Sequence, residues 1–229
     1  MVIEENKSVL LSKSRRKLDI LISCLLVILV FIFQSIYALE YFKGNYALRN
    51  GLMVPLLLRL LIWSFPVILY LALRKLNIFG YLKLDNRILH GIIWGLIIGG
   101  TILFIKITAN YLYYGKVILN LNFGLNRFIG SVLLVGLSEE VLFRGFILQK
   151  ANEYTRFWVA NIINAILFTL IHYPGWIIEG NLNTQKLISS SLYILIFALF
   201  QGYILKKTKS LWACMIVHSL NNFMSFALV

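Results

Sequence analysis

Apolar residues in this chain fall in long runs, parted by short stretches that carry most of the Lys and Arg. Runs near 20 residues reach across about 30 Å of hydrocarbon when helical. The pattern predicts such spans over 18–39, 52–73, 88–109, 128–149, 157–174, 187–205 and 211–229. They are about twice too long for the ten-residue alternating segments of a transmembrane β-barrel. The expected fold is therefore all-α, a polytopic transmembrane helical bundle of seven spans, or eight if one is split. The first run follows Lys13-Ser14-Arg15-Arg16-Lys17 and outlasts a signal peptide, and Tyr37-Ala38-Leu39-Glu40 is a poor cleavage site, so a retained anchor is expected. The loops are short, and neither repeats nor a soluble domain interrupt the pattern.

Composition sharpens the membrane reading. Hydrophobic residues make up 60% of the 229, charged ones only 14%, and mean hydropathy is +0.82. A soluble domain carries about 25% charged residues, so soluble, disordered and collagen-like classes are excluded. The net charge of +13 would suggest nucleic acid in a soluble chain. Here the aromatic residues that such a surface needs lie inside apolar runs, so no nucleic-acid partner is expected. Orientation explains the charge instead, because Lys and Arg collect on the cytoplasmic side. With the N-terminus in the cytoplasm, only Lys43, Arg49, Lys116, Arg127 and Lys186 fall in external segments, and Arg59, Lys106 and Arg144 fall within spans. All other basic residues are then internal. Cys24 and Cys214 both lie in apolar runs and form neither a C-x-x-C pair nor a disulfide framework.

Charge within hydrocarbon is costly, about 2.5–3.5 kcal/mol per residue on insertion scales, so the exceptions point to chemistry. Glu139 and Glu140 stand side by side in the fourth span. Arg144 follows Glu140 by four residues and shares its helix face, so this pair can neutralise one carboxylate. Glu139 points about 100° away and has no local partner. Of the three histidines, His90 lies at a predicted membrane edge beside Arg87. His172 ends Phe168-Thr-Leu-Ile-His172 in the fifth span. His218 opens His218-Ser-Leu-Asn-Asn222 in the last span and projects from the same face as Asn222. One carboxylate, two imidazoles and an amide from separate helices, gathered in a dry pocket, suit the activation of water for hydrolysis.

Other intramembrane protease chemistries lack their residues. There is no H-E-x-x-H, and the only aspartates, Asp19 and Asp85, lie at predicted membrane edges. Gly136-Leu-Ser138 resembles half of a serine-nucleophile motif, but Glu139 stands where that motif has Gly.

Glu139-Glu140-x-x-x-Arg144, then Phe168-x-x-x-His172, then His218-x-x-x-Asn222 resemble the three ordered motifs of the CPBP intramembrane proteases. These include the Rce1-type CAAX prenyl proteases and the bacterial Abi proteins. The resemblance covers 128–229 and implies a four-helix catalytic core there, with 1–127 a basic segment plus three variable helices. It implies that Glu139 is the general base and that His172 shares in activating water. His218 and Asn222 would stabilise the oxyanion, Glu140 with Arg144 would hold the helix in register, and Phe168 would pack beside the site. The expected substrate is a peptide or lipidated protein presented among membrane lipids. Its hydrolysis would serve CAAX-type processing or bacteriocin self-immunity in a bacterial plasma membrane.

Zinc stays open as a cofactor, with Glu139, His172 and His218 as ligands and one open position. A metal-free mechanism is preferred because no carboxylate is evidently placed to orient either histidine, unless Glu140 does so in place of its pairing with Arg144. His172 is brought to mid-depth if its helix starts near Asn161, with 150–160 an interfacial segment, and that adjustment is expected. The alternatives are a small proton- or ion-coupled transporter and a catalytically silent immunity protein.

Overall fold

The computed structural model describes residues 2–44, 53–85, 87–120, 122, 124–180 and 183–228. Arg49, expected in an external segment, lies outside the described residues. Among the described residues the chain is helices joined by short turns and loops, with one isolated antiparallel bridge between Leu119 and Leu228. Helix α1 is Val2–Phe42. Helix α2 joins Met53–Arg59, a π-helical segment Leu60–Ser64, and Phe65–Leu73. The short α3 (Ile78–Tyr81) begins at Asn77, whose side chain accepts from the Gly80 N–H. Helix α4 (Ile88–Tyr114) ends at Gly115, whose left-handed φ of 69° is the conformation glycine adopts freely.

Helix α5 is the centre of the bundle. It runs through Gly124–Arg127, π-helical Phe128–Leu134, Val135–Glu140, π-helical Val141–Ile147 and Leu148–Tyr154. Every residue from Ser138 to Leu148 is buried, so this stretch is enclosed by protein on all sides. Helix α6 (Phe157–Leu170), the short α7 (Tyr173–Glu179), α8 (Thr184–Thr208) and α9 (Leu211–Ala227) complete the fold.

Helices α4 and α9 approach closely because Gly91, Gly95 and Gly99 form one buried stripe on α4. A Cβ on Gly95 would stand 2.9 Å from the Ile216 Cβ and 3.2 Å from the Ala213 Cα. Only a residue without a side chain lets the backbones meet there. This contact fixes α9, and with it His218, against the bundle.

The described residues of the predicted spans are mostly helical, though 157–174 is divided between α6 and α7. Five stretches are long and apolar enough to cross a membrane: Arg16–Tyr41, Leu56–Leu73, Ile88–Tyr114, Phe157–Glu179 and Thr184–Thr208. Helices α5 and α9 are not among them. The first carries Glu139, Glu140, Arg144 and Lys150, and the second is 17 residues long. Apolar side chains such as Leu21 (54% exposed) and Leu112 (77%) cover the outside of the bundle. On a water-soluble protein so much exposed apolar surface would drive association; on an integral membrane protein it faces lipid.

The expected helix start near Asn161 is not found. Helix α6 starts at Phe157, only two residues after α5 ends, and Asn161 is wholly buried within it. The Asn161 amide donates to the Leu199 carbonyl of α8 at 2.9 Å, a contact that places it deep between helices. His172 instead gains its position from a break: α6 stops at Leu170, and His172 caps α7.

Candidate active site

Glu139 and Glu140 close the central α-helical segment of α5, and a π-helical segment lies on each side of them. A π-helical segment inserts an extra residue per turn and rotates the side chains that follow. Both carboxylates thereby face other helices. Glu139 is 3% exposed and Glu140 is fully buried.

Glu140 is the structural hub of the site. Its Oε1 lies 3.2 Å from the Arg144 Nη1, as the four-residue spacing predicts. The same oxygen accepts from the His218 Nδ1 at 2.8 Å. Arg144 Nη2 in turn donates to the Ala198 carbonyl of α8 at 3.3 Å. The pair therefore joins α5 to α8 and α9, rather than only steadying its own helix. Glu140 also supplies His218 with an orienting carboxylate, and it does so while Arg144 stands beside the same oxygen, not in place of that ion pair. Glu140 and His218 are 78 residues apart, and no local pattern connects them. The absence of such a carboxylate, which favoured a metal-free mechanism, is thereby corrected.

The hydrogen bonds fix the imidazole tautomers. His172 Nδ1 meets the Phe168 carbonyl at 2.8 Å. A carbonyl can only accept, so Nδ1 carries the proton and the neutral ring keeps its Nε2 lone pair free. His218 likewise donates from Nδ1 to Glu140, which leaves its Nε2 as an acceptor while the ring is neutral. That Nε2 lies 3.9 Å from Glu139 Oε2. The His172 ring is within electrostatic reach of both Glu139 and His218.

Phe168 stands among these groups. Its ring centroid is 4.9 Å from the His172 ring and 6.0 Å from the His218 ring, and the Arg144 guanidinium covers it at 4.2 Å. Asn222, one turn after His218 on α9, donates from Nδ2 to the Ser131 carbonyl of α5 at 3.2 Å. Ser138 is wholly buried, and its hydroxyl donates back to the Leu134 carbonyl at 2.7 Å. That bond leaves it unsuited to act as a nucleophile.

One residue of the site is missed by sequence reading. Arg59 ends the first segment of α2, just before the π-helical Leu60–Ser64. Its Nη1 lies 3.9 Å from Glu139 Oε1. Its presence inside an apolar run is the only sequence signal, and it names no partner. Arg59, His172, Ser131 and Trp176 line a cavity of about 570 Å³ that is closed on another side by Tyr37 of α1.

Several buried polar atoms here have no hydrogen-bond partner among the described residues: Glu139 Oε2, Glu140 Oε2, Arg59 Nη1, and Nε and Nη1 of Arg144. Zinc needs three protein donors converging at about 2 Å. Among the described residues no three His, Cys, Asp or Glu side chains gather closely enough to hold a metal. The Arg59 cation beside Glu139 also opposes a dication. As arranged, Glu139, His172 and His218 do not fit zinc.

Residues 121–224 match the profile of the Rce1-like family, described as type II CAAX prenyl endopeptidase Rce1-like. No curated protein and no solved structure matches the chain. The matched segment spans α5 to α9 and contains Glu139, Glu140, Phe168, His172, His218 and Asn222. Over residues 121–224 the chain is similar to the Rce1-like family of type II CAAX prenyl endopeptidases, a family of membrane proteases.

Proposed function

We propose that this protein is an intramembrane endopeptidase that hydrolyses a peptide bond of a lipidated or membrane-associated peptide with water activated by Glu139. The observation that carries the reading is Glu139 Oε2, a buried carboxylate oxygen with no hydrogen-bond partner, 3.9 Å from His218 Nε2. A buried acceptor of this kind is costly until a donor reaches it. A water molecule fits the chemistry of both neighbours.

Glu139 takes a proton from that water while the oxygen bonds to the scissile carbonyl carbon. The carbonyl π electrons move to its oxygen and form the tetrahedral oxyanion. His172 offers its Nε2 lone pair as a second acceptor that aligns the water. Collapse of the intermediate breaks the C–N bond, and the proton on Glu139 passes to the leaving nitrogen. Glu140 holds His218 through Nδ1, much as a buried carboxylate orients a catalytic histidine elsewhere. Asn222 retains one N–H beyond the bond to Ser131, and that N–H is its contribution to the oxyanion. His218 donates from Nε2 only when both its nitrogens carry protons.

The same chemistry serves CAAX-type maturation or a peptide-processing role in bacteriocin self-immunity at a bacterial plasma membrane, and the substrate alone separates them. The test uses purified protein in detergent and a quenched fluorescent peptide with a prenylated cysteine three residues from a free carboxyl terminus. The wild type should release the tripeptide. Glu139→Gln and His172→Ala should accumulate normally in the membrane and lose about 10²–10⁴-fold in rate, the usual worth of a general base. Full cleavage by either variant would contradict the assignment.

A further inference from the structure

We propose that Arg59, which lies outside the matched segment, is a catalytic residue of this site that donates to the oxyanion of the tetrahedral intermediate. The inference rests on the endopeptidase reading and adds a residue to it. Three observations carry it.

The first is position. Arg59 lines the 570 Å³ cavity together with His172 and Ser131, so the reacting carbonyl has its cation at hand. The second is incomplete pairing. Arg59 is close to Glu139 at 3.9 Å but makes no hydrogen bond to it, and its buried Nη1 has no partner among the described residues. Arginine and carboxylate favour a paired, two-bond geometry, and Arg59 has not closed into it with Glu139. Here the fork stays open to a third oxygen. The Tyr37 ring, 5.7 Å from the guanidinium carbon, meets it through the π face and takes no N–H.

The third observation is the state of the other donors. Asn222 already gives one N–H to the Ser131 carbonyl. Neutral His218 presents a lone pair, not a proton, from Nε2, because Nδ1 is bonded to Glu140. Arg59 keeps its charge at any working pH. As electrons move onto the carbonyl oxygen, that fixed charge interacts more strongly with the transition state than with the neutral substrate. This difference is what accelerates a reaction. The proton stays with Glu139 until the C–N bond breaks, and Arg59 transfers none.

Arg59→Gln, Arg59→Lys and Arg59→Ala are compared with the wild type on the prenylated peptide. The expected result is a fall in kcat of about 10²-fold or more for Arg59→Gln with KM little changed, the signature of a lost oxyanion donor. Arg59→Lys should keep a larger share of the rate, because the charge survives although the fork is lost. Guanidinium ion added at millimolar concentration should restore part of the turnover to Arg59→Ala, which a purely structural role would not allow. Melting temperatures in detergent check that each variant is folded. If Arg59→Gln is unfolded, the lysine variant and the guanidinium rescue decide the question. A folded Arg59→Gln with wild-type kcat, or one whose KM alone rises, overturns the inference and leaves the endopeptidase reading standing. A wild type that cleaves nothing removes both.

Discussion

Asp19 and Glu139 are both carboxylates buried in an apolar bundle, and the protein surrounds them in opposite ways. Asp19, on α1, is 5% exposed. Its Oδ1 accepts from the Tyr70 hydroxyl and Arg74, its Oδ2 accepts from the Tyr154 hydroxyl, and Lys150 Nζ stands 3.6 Å away. Each oxygen is served, and the cluster clips α1 to α2 and α5. Glu139 has one cation at 3.9 Å, no hydrogen bond to it, and an oxygen with no partner. Full satisfaction lowers the energy of a resting structure, whereas an unpaired oxygen stays ready for a substrate or a water. The difference separates a clip from a reactive centre better than burial, which both share.

Exchanging charge for an isosteric amide at the two places should give mirror-image results. Glu139→Gln should remove activity by a larger factor than any other single substitution in the bundle. It should leave stability the same or higher, since it removes an unsatisfied charge. A variant that is both inactive and unfolded would break the comparison.

Next in size is Arg144→Ala, which strands the fully buried Glu140. Losing one partner of a buried ion pair typically costs about 3–5 kcal/mol, so melting in detergent and the yield of folded protein should both drop sharply. Activity should fall with them, because His218 loses its fixed partner.

Asp19→Asn comes third. A hydrogen bond to a charged group contributes about 1.5–3 kcal/mol, and the cluster should lose a comparable amount of stability in thermal melts. The kcat of the protein that stays folded should match the wild type. A large fall in kcat at full stability would place Asp19 in the chemistry and erase the contrast between clip and reactive centre.

The smallest effect is expected from Ser138→Ala, which removes a hydroxyl bonded only to its own helix. Activity should change less than about three-fold, well under the cost of any nucleophile. Loss of cleavage would reinstate a serine mechanism.

Much of the site can be read locally. The Glu140–Arg144 ion pair follows from one helical turn. The isolated Glu139 follows from the cost of charge in hydrocarbon, and Phe168 beside His172 from a four-residue spacing that the structure places at 4.9 Å between rings. The misreadings are equally instructive. Asn161 looks like a polar helix start, yet it serves as an interhelical donor to Leu199 within α6. Asp19 lies near the start of its span, as its place in the sequence suggests, but the two tyrosines and Arg74 that enclose it there come from other parts of the chain and leave no local signal. A polar residue in an apolar run has the same sequence appearance whether it starts a helix, bonds across one, or does chemistry.

The amino-acid order alone determined an all-helical membrane bundle, because run length and hydropathy act within each segment. It also determined which helices carry acids and imidazoles. Only the tertiary structure decided that Glu140 serves His218, that Arg59 faces Glu139, and that Asp19 is saturated while Glu139 is not. Those pairings depend on which helix faces meet, and on π-helical segments that turn them. Contacts between residues tens of positions apart are set by packing, to which no short stretch of sequence has access.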